Sequence, residues 1–251
     1  MARVHGGNAR IYLNQYDLSG RANGFDLNIN TPSVNVTAFS DVAEEYVQGN
    51  NQHGWDASVQ SFIDYTSGDI DTIINALLAD NDLGHALGLY TNGSAAGSRG
   101  YEGVGGLERE GIVVPRDGVG QLRFDMKGAG AQMVGRAMKL NEGTVLTGTS
   151  TQTGQNHMTA TDGDLIISVA RITAVTGTGS ITIRVQESTD NASSDAYGTV
   201  LTHAAMTAVG ENVKTVTAAS MPGPWFRTII TAFSSFTNVT LRHAIAIVPN
   251  G

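Results

Sequence analysis

The 251 residues contain no cysteine, which excludes a disulfide framework and any thiolate-held metal or redox centre. Charge is also scarce: Asp, Glu, Lys and Arg supply 15% of the chain, well under the usual quarter, so there is little from which to build exposed helices. No apolar run approaches the length of a membrane span. The opening MARVHGGNARIYL has no apolar signal segment, so the expected setting is the cytoplasm, without membrane insertion. In that setting the N-x-S/T matches at Asn35, Asn92, Asn191 and Asn238 are chance occurrences. A basic surplus is missing as well. Net charge is −8, with 10 basic and 17 acidic residues in positions 1–150, and 5 and 6 in positions 151–251. Such a balance disfavours stable nucleic-acid binding, which needs Lys and Arg to displace counterions from phosphate.

What remains is a chain with 41% apolar residues, enough for a real core, and 31 glycines among abundant Thr, Ser and Asn. That is the composition of strands and tight turns. Phe25, Leu27 and Ile29 alternate with Asp26, Asn28 and Asn30, the period of a half-buried strand, and Val34, Val36 and Ala38 repeat it after Pro32. An acidic segment interrupts the pattern before Trp55, Ala57, Val59 and Ser61 resume it. Ile70, Ile73, Ile74, Leu77 and Leu78 form one helical stripe, with Ser67 as N-cap, Asp69 and Asp71 in the first turn, and Gly84 beyond the end. Leu122, Phe124 and Met126 alternate again, and Met133–Leu140 is expected to pair with them across a turn at Gly128–Gly130. The first part therefore reads as an α+β domain with antiparallel sheet and one amphipathic helix.

The Thr/Gly/Gln-rich residues 146–161 have the composition of a linker. Beyond them come strands at Leu165–Val175, Ile181–Gln186, Val200–Ala208, Val213–Ala218, Trp225–Phe233 and Val239–Val248, the spacing of a β-sandwich. The expected organisation is a β domain with one helix over 1–145, a linker over 146–161 and a sandwich over 162–251, mainly β throughout.

Motifs for chemistry fail one by one. Gly103-Val104-Gly105-Gly106 lacks the helix that a phosphate loop opens into, because Gly111 follows too soon. Asp80-Asn81-Asp82-Leu83-Gly84 misses the calcium-loop spacing, and Gly93-Ser94-Ala95-Ala96-Gly97 misses a nucleophile elbow by one position. The six histidines are scattered, and Glu44 and Glu45, being adjacent, would point to opposite faces of a strand. The expectation is no catalytic residue, no metal and no cofactor. Trp225-Phe226-Arg227 is open to two readings, core packing or an exposed aromatic platform for a sugar or surface.

The stretch Asp17-Leu18-Ser19-Gly20, Val34-Asn35-Val36-Thr37-Ala38-Phe39-Ser40-Asp41, Glu44-Glu45-Tyr46, Gly49 and Trp55-Asp56-Ala57-Ser58-Val59, with the helix after it, resembles the major tail tube proteins of long-tailed bacteriophages over residues 1–145. It departs from that pattern at Val47-Gln48-Gly49, where a proline would precede the glycine. Val185–Asn191 and Thr207–Gly210 resemble β-sandwich modules appended to phage virion proteins. The resemblance implies a structural virion protein, made in the host cytoplasm, whose chains form stacked six-membered rings. Two arms per chain would line a hollow tube for genome ejection, with the sandwich projecting outward. Implied partners are other copies of the chain and the tape-measure, terminator and tail-tip proteins, with double-stranded DNA passing unbound. The polar positions Asp26, Asn28, Asn30 and Asp125 are then expected to face the channel as a net-acidic wall. Asp41, Glu44, Glu45, Tyr46 and Gly49 belong to a loop, 41–54, that is expected to reach a neighbouring chain. The alternatives are another virion protein, for head decoration or tail completion, and a carbohydrate- or surface-binding protein using Trp225.

Overall fold

In the computed structural model, the residues described are 9–30, 33–35, 46–48, 54–63, 70–79, 84–91, 93, 95–114, 118, 120–128, 134–218 and 223–249. Strands dominate, as the alternation predicts. The chain order begins β1 (Arg10–Leu13), β2 (Tyr16–Asp17), β3 (Ala22–Asn30), β4 (Ser33–Asn35), β5 (Tyr46–Gln48) and β6 (Gly54–Phe62). Helix α1 (Ile70–Ala79) precedes β7 (His85–Tyr90), β8 (Arg99–Val113), β9 (Gln121–Gly128) and β10 (Val134–Leu146). The last six are β11 (Ser150–Thr151), β12 (Gln155–Asn156), β13 (Leu165–Ser188), β14 (Gly198–Thr202), β15 (Gly210–Thr217) and β16 (Trp225–Val248).

The described residues of Met1–Gly20, Ala86–Gly103 and Gly135–Asn250 form one compact unit, and those of Arg21–His85 and Val104–Val134 form another. The stretch 146–161 falls within the first of these, where Ser150–Thr151 and Gln155–Asn156 pair with β16.

The first unit is organised by a long antiparallel ribbon, β13 against β16, from Leu165↔Val248 to Ser188↔Trp225. The sequence reads four strands here, and the structure joins them into two. The expected breaks are bulges near Thr176–Ser180, where Gly177 at φ 88° and Ser235 at φ 61° supply the left-handed turns an L-residue strand resists. The bends bring both ends of the ribbon into shared cores. Ile166, Ile245 and Ile247 pack with Val185 and Phe226 in one, and Ala170, Ile172 and Leu241 pack with Ile181, Ile183 and Ile230 in the other. The sheet order runs β14-β13-β16-β10-β8-β7-β1-β2, with β15 on β13 and β11 and β12 on β16.

The second unit holds the sheet β3-β6-β9-β8 and the small ribbon β4-β5. β3 pairs with the returning strand β6 through Phe25↔Val59, Leu27↔Ala57 and Ile29↔Trp55, so the two alternating runs are not partners of each other. The expected pairing of 133–140 with β9 is also replaced: β9 lies between β6 and β8, and β10 pairs with β16. One face of the sheet buries Trp55, Ala57, Val59, Leu122, Phe124 and Met126. The predicted stripe holds in α1, which buries Ile70, Ile73 and Ile74. Its Asp71 hydrogen-bonds Glu110 of β8. Ser67, Asp69 and 80–83 lie outside the described residues.

Candidate functional site

The glycine-rich β8 is a packed strand. A Cβ on Gly105 would stand 2.6 Å from the Trp55 ring and 2.6 Å from the Lys127 carbonyl oxygen, so glycine is there to let the indole lie against the backbone. No phosphate loop is formed.

Within the first unit, the pleat of the sheet turns several charged side chains inward. Arg171 of β13 is 2% exposed and Glu102 of β8 is 0% exposed. Arg171 donates Nη1 to Glu102 Oε1 at 2.9 Å, Nη2 to Oε2 at 2.7 Å, and Nε to the Asn14 carbonyl at 2.6 Å. Asn14, held at φ 50°, in turn accepts the Ala86 amide on its Oδ1 at 2.8 Å. Tyr90 donates its hydroxyl to Glu102 Oε1 at 2.8 Å. Burial alone would pull the Arg171 guanidinium down, but the adjacent Glu102 carboxylate overrides it and the net direction is up. Burial and Glu102 together push the Tyr90 phenol well up.

A second ring joins this one. Lys139 donates to the Tyr12 hydroxyl at 2.9 Å and pairs with Glu142 Oε2 at 3.0 Å, while Tyr12 donates to Glu142 Oε1 at 2.5 Å. Arg242 pairs with Asp17 at 2.9 Å. The Lys139 ammonium lies 4.5 Å from the Tyr90 ring centre and 4.7 Å from that of Tyr12. Burial lowers the Lys139 pKa against the pull of Glu142, and burial followed by the Glu142 bond raises that of Tyr12. Three cations and two carboxylates, Glu102 and Glu142, therefore surround a space of about 10 Å³, room for at most one water, and Asp17 holds Arg242 from outside it. No substrate fits, and the arrangement is a brace tying β1, β8, β10, β13 and β16 together.

Between the two apolar cores runs a chain of neutral hydrogen bonds. Thr228 Oγ1 contacts His243 Nδ1 at 2.7 Å, and His243 Nε2 contacts Ser168 Oγ at 2.8 Å. Ser168 Oγ contacts His203 Nε2 at 2.8 Å, and His203 Nδ1 contacts Asn212 Oδ1 at 2.8 Å. One tautomer set satisfies all four bonds: Thr228 donates to His243, His243 to Ser168, Ser168 to His203 and His203 to Asn212. Burial holds both imidazoles neutral by lowering their pKa values. A serine between two histidines has the parts of a nucleophile and base, yet Ser168 is fully buried and both its partners are 1–2% exposed. The chain bolts the two halves of the bent ribbon together. Three of the scattered histidines are thus placed: two here and His157 beside a cleft.

That cleft, about 270 Å³, is lined by Thr91, Arg99, Tyr101, Arg136, His157 and Met158 among others. Arg99 and Arg136 are exposed, and among the described residues neither has an ion-pair partner. His157 is buried and donates Nε2–H to the Arg136 carbonyl at 3.1 Å. Burial, with Arg99 adding repulsion, lowers its pKa to about 4.

In the second unit, Asp26, Asn28 and Asp125 do share one face. The register aligns Asp26, Ser58 and Asp125 in one row and Asn28, Asp56 and Lys127 in the next, with Asn30 at the same parity opposite Gly54. Asn28 donates to Asp56 Oδ2 at 2.8 Å, and Arg123 pairs with Asp125 at 3.0 Å. The face carries Asp26, Asp56 and Asp125 together with Arg123 and Lys127. Tyr46 lies on β5 opposite Asn35, so part of the expected 41–54 loop is a paired ribbon. Asp41, Glu44, Glu45 and Gly49 lie outside the described residues. Trp225 begins β16 and is half-buried, with Phe226 turned into the core. Arg227, on the same side as Trp225, stacks on Tyr197 at 3.8 Å.

No protein-family model and no curated protein matches the sequence. Solved structures with some likeness include a chain from the virion of a native gene transfer agent particle, at TM-score 0.40 and 16% identity over 53% of this chain and 98% of that one. Another is the SPP1 Dit (gp 19.1) protein, described as a paradigm of hub adsorption apparatus in Gram-positive infecting phages, at TM-score 0.34 and 10% identity over 96% and 98%. A third is from infectious bursal disease virus Gx strain, at TM-score 0.31 and 10% identity over 98% and 58%. All three scores are too low to define a common fold.

Proposed function

We propose that the chain is a non-enzymatic structural protein of a bacteriophage virion that self-assembles into stacked six-membered rings, forming a tail tube. The observation that carries this reading is the unfinished sheet of the second unit. Among the described residues β3 pairs on one side only, with β6. At the far end of the same sheet Val113 is 63% and Val114 67% exposed, and Phe62 and Ile112 are about half exposed. Phe62 of β6 and Val113 of β8 flank Gln121 of β9 in one row. An open edge next to an apolar end is a liability in a lone chain and an interface in an assembly. The motifs of residues 17–59 support the same reading.

On this reading the face on which Asp26, Asn28, Asn30 and Asp125 lie is turned to the channel, and its mixed charges leave DNA phosphates no cationic track to hold. The 41–54 segment reaches a neighbouring copy, tape-measure, terminator and tail-tip proteins are the further partners, and the virion tail is the location. Light scattering of the purified chain tests it: large assemblies are expected, and Val113→Asp should leave a folded species of one chain. Unchanged assembly by that variant contradicts the proposed interface.

One observation favours a second reading, a glycan- or surface-binding face: Trp225, Arg227 and Tyr197 gather on one side of β16, with Gln186 Oε1 accepting from Arg227 Nε at 3.1 Å and Nη2 at 2.8 Å. Glycan binding lost in Trp225→Ala would support it, and no binding by the intact chain would remove it.

A further inference from the structure

We infer that the cleft between Arg99 and Arg136 is an oxyanion subsite that takes a carboxylate or phosphate group. Two exposed arginines line one concavity of about 270 Å³ with no Asp or Glu among its lining residues. The buried cations of this unit are answered, Arg171 by Glu102 and Lys139 by Glu142, and Arg242 pairs with Asp17. In a chain of net charge −8, Arg99 and Arg136 line one cleft from adjacent strands without an ion-pair partner among the described residues. Each guanidinium presents a planar fork of donors that matches an oxyanion, and side by side they repel until one binds. Thr91 and Tyr101, residues whose hydroxyls can donate, also line it. The cleft is smaller than a pocket for a drug-sized ligand, which suits a small polyanion or a single acidic side chain.

His157 makes the site self-reporting. It sits in the wall as a neutral imidazole, depressed to about 4 by burial and by Arg99. An anion neutralising Arg99 removes that repulsion and moves the His157 titration upward.

The inference is independent of the tube reading. The test titrates citrate and inorganic phosphate into the full chain by calorimetry, and follows the imidazole proton resonances of His157 across pH. Binding with an upward shift of the His157 titration is expected. In Arg99→Ala/Arg136→Ala, affinity should fall by about tenfold or more, with the thermal midpoint unchanged. No heat and no His157 shift at millimolar anion, or equal binding by the double variant, overturns the site. Sedimentation in the same solutions identifies the natural source. If citrate and the double substitution both dissociate assemblies, the group is a carboxylate of a second copy; if sedimentation is unchanged, it is a free anion. Citrate binding without any assembly ends the tube reading and leaves the subsite standing.

Discussion

Arg171 grips Glu102 through two parallel hydrogen bonds, Nη1 to Oε1 and Nη2 to Oε2, where neither side chain meets solvent. Breaking one side strands the other charge in the core. Arg171→Met should therefore cost about 3–5 kcal/mol, more than the pair is worth, while Arg171→Met with Glu102→Leu should recover much of the loss. Urea denaturation of the four proteins of the cycle measures this directly. Gly88→Ala should act through the same bond, because its Cβ would stand 2.5 Å from Glu102 Oε1.

The histidines set an acid limit. His203 and His243 are depressed below the usual 6.5 by burial, and His157 lies at about 4 for the same reason. A base depressed in the folded state contributes stability that is complete above 6.5 and is lost as pH falls from there through the folded value. With Glu110→Gln as the background, to remove that carboxyl's opposing titration, urea midpoints should be level from pH 8 to 7 and decline below 6.5. Ser168→Ala, which leaves His243 Nε2 without an acceptor, should cost about 1–3 kcal/mol at pH 8. In the Glu110→Gln background, a midpoint that rises on acidification would contradict the neutral chain.

Glu110 works with the opposite sign. Burial, then the hydrogen bond with Asp71, raises its carboxyl from 4.5 to about 7. Its contribution is fully present below 4.5 and is lost as pH rises through about 7. Glu110→Gln should raise the urea midpoint at pH 8 and leave it unchanged at pH 4.5.

Gly105→Ala drives a methyl into the Trp55 ring and the Lys127 carbonyl. Because backbone cannot yield as a side-chain tip can, a loss of about 1–3 kcal/mol is expected, with a changed Trp55 fluorescence spectrum. Gly111→Ala, whose nearest neighbour is 3.9 Å away, serves as the control and should be near neutral on packing.

Local periodicity carried much of the fold into the sequence. The α1 stripe and Leu122, Phe124 and Met126 fall where their spacing puts them, because one buried face fixes each pattern. Phe25, Leu27 and Ile29 lie in a strand as their alternation predicts, although Phe25 and Leu27 are only half-buried and Ile29 is exposed. Pairing was less legible. Val134–Leu146 follows β9 closely in sequence yet pairs with β16, a choice made by shared cores far along the chain. Residues 177 and 235 read as strand ends because Gly and Ser mark turns, and a bulge uses the same residues without ending the strand. The buried brace left one readable trace, Arg171 inside the apolar run Ser168–Val175 and Lys139 inside Ala137–Leu140. Their partners Glu102 and Glu142 lie on other strands, so the pairs themselves were invisible. The Arg99–Arg136 cleft gave no signal at all, since it depends on what is absent around two ordinary surface arginines.

The central claim is self-assembly, and electron microscopy of the purified full-length chain tests it most directly. The account predicts six-fold rings stacking into hollow tubes. A uniform population of single chains, at every concentration that can be imaged, would contradict it.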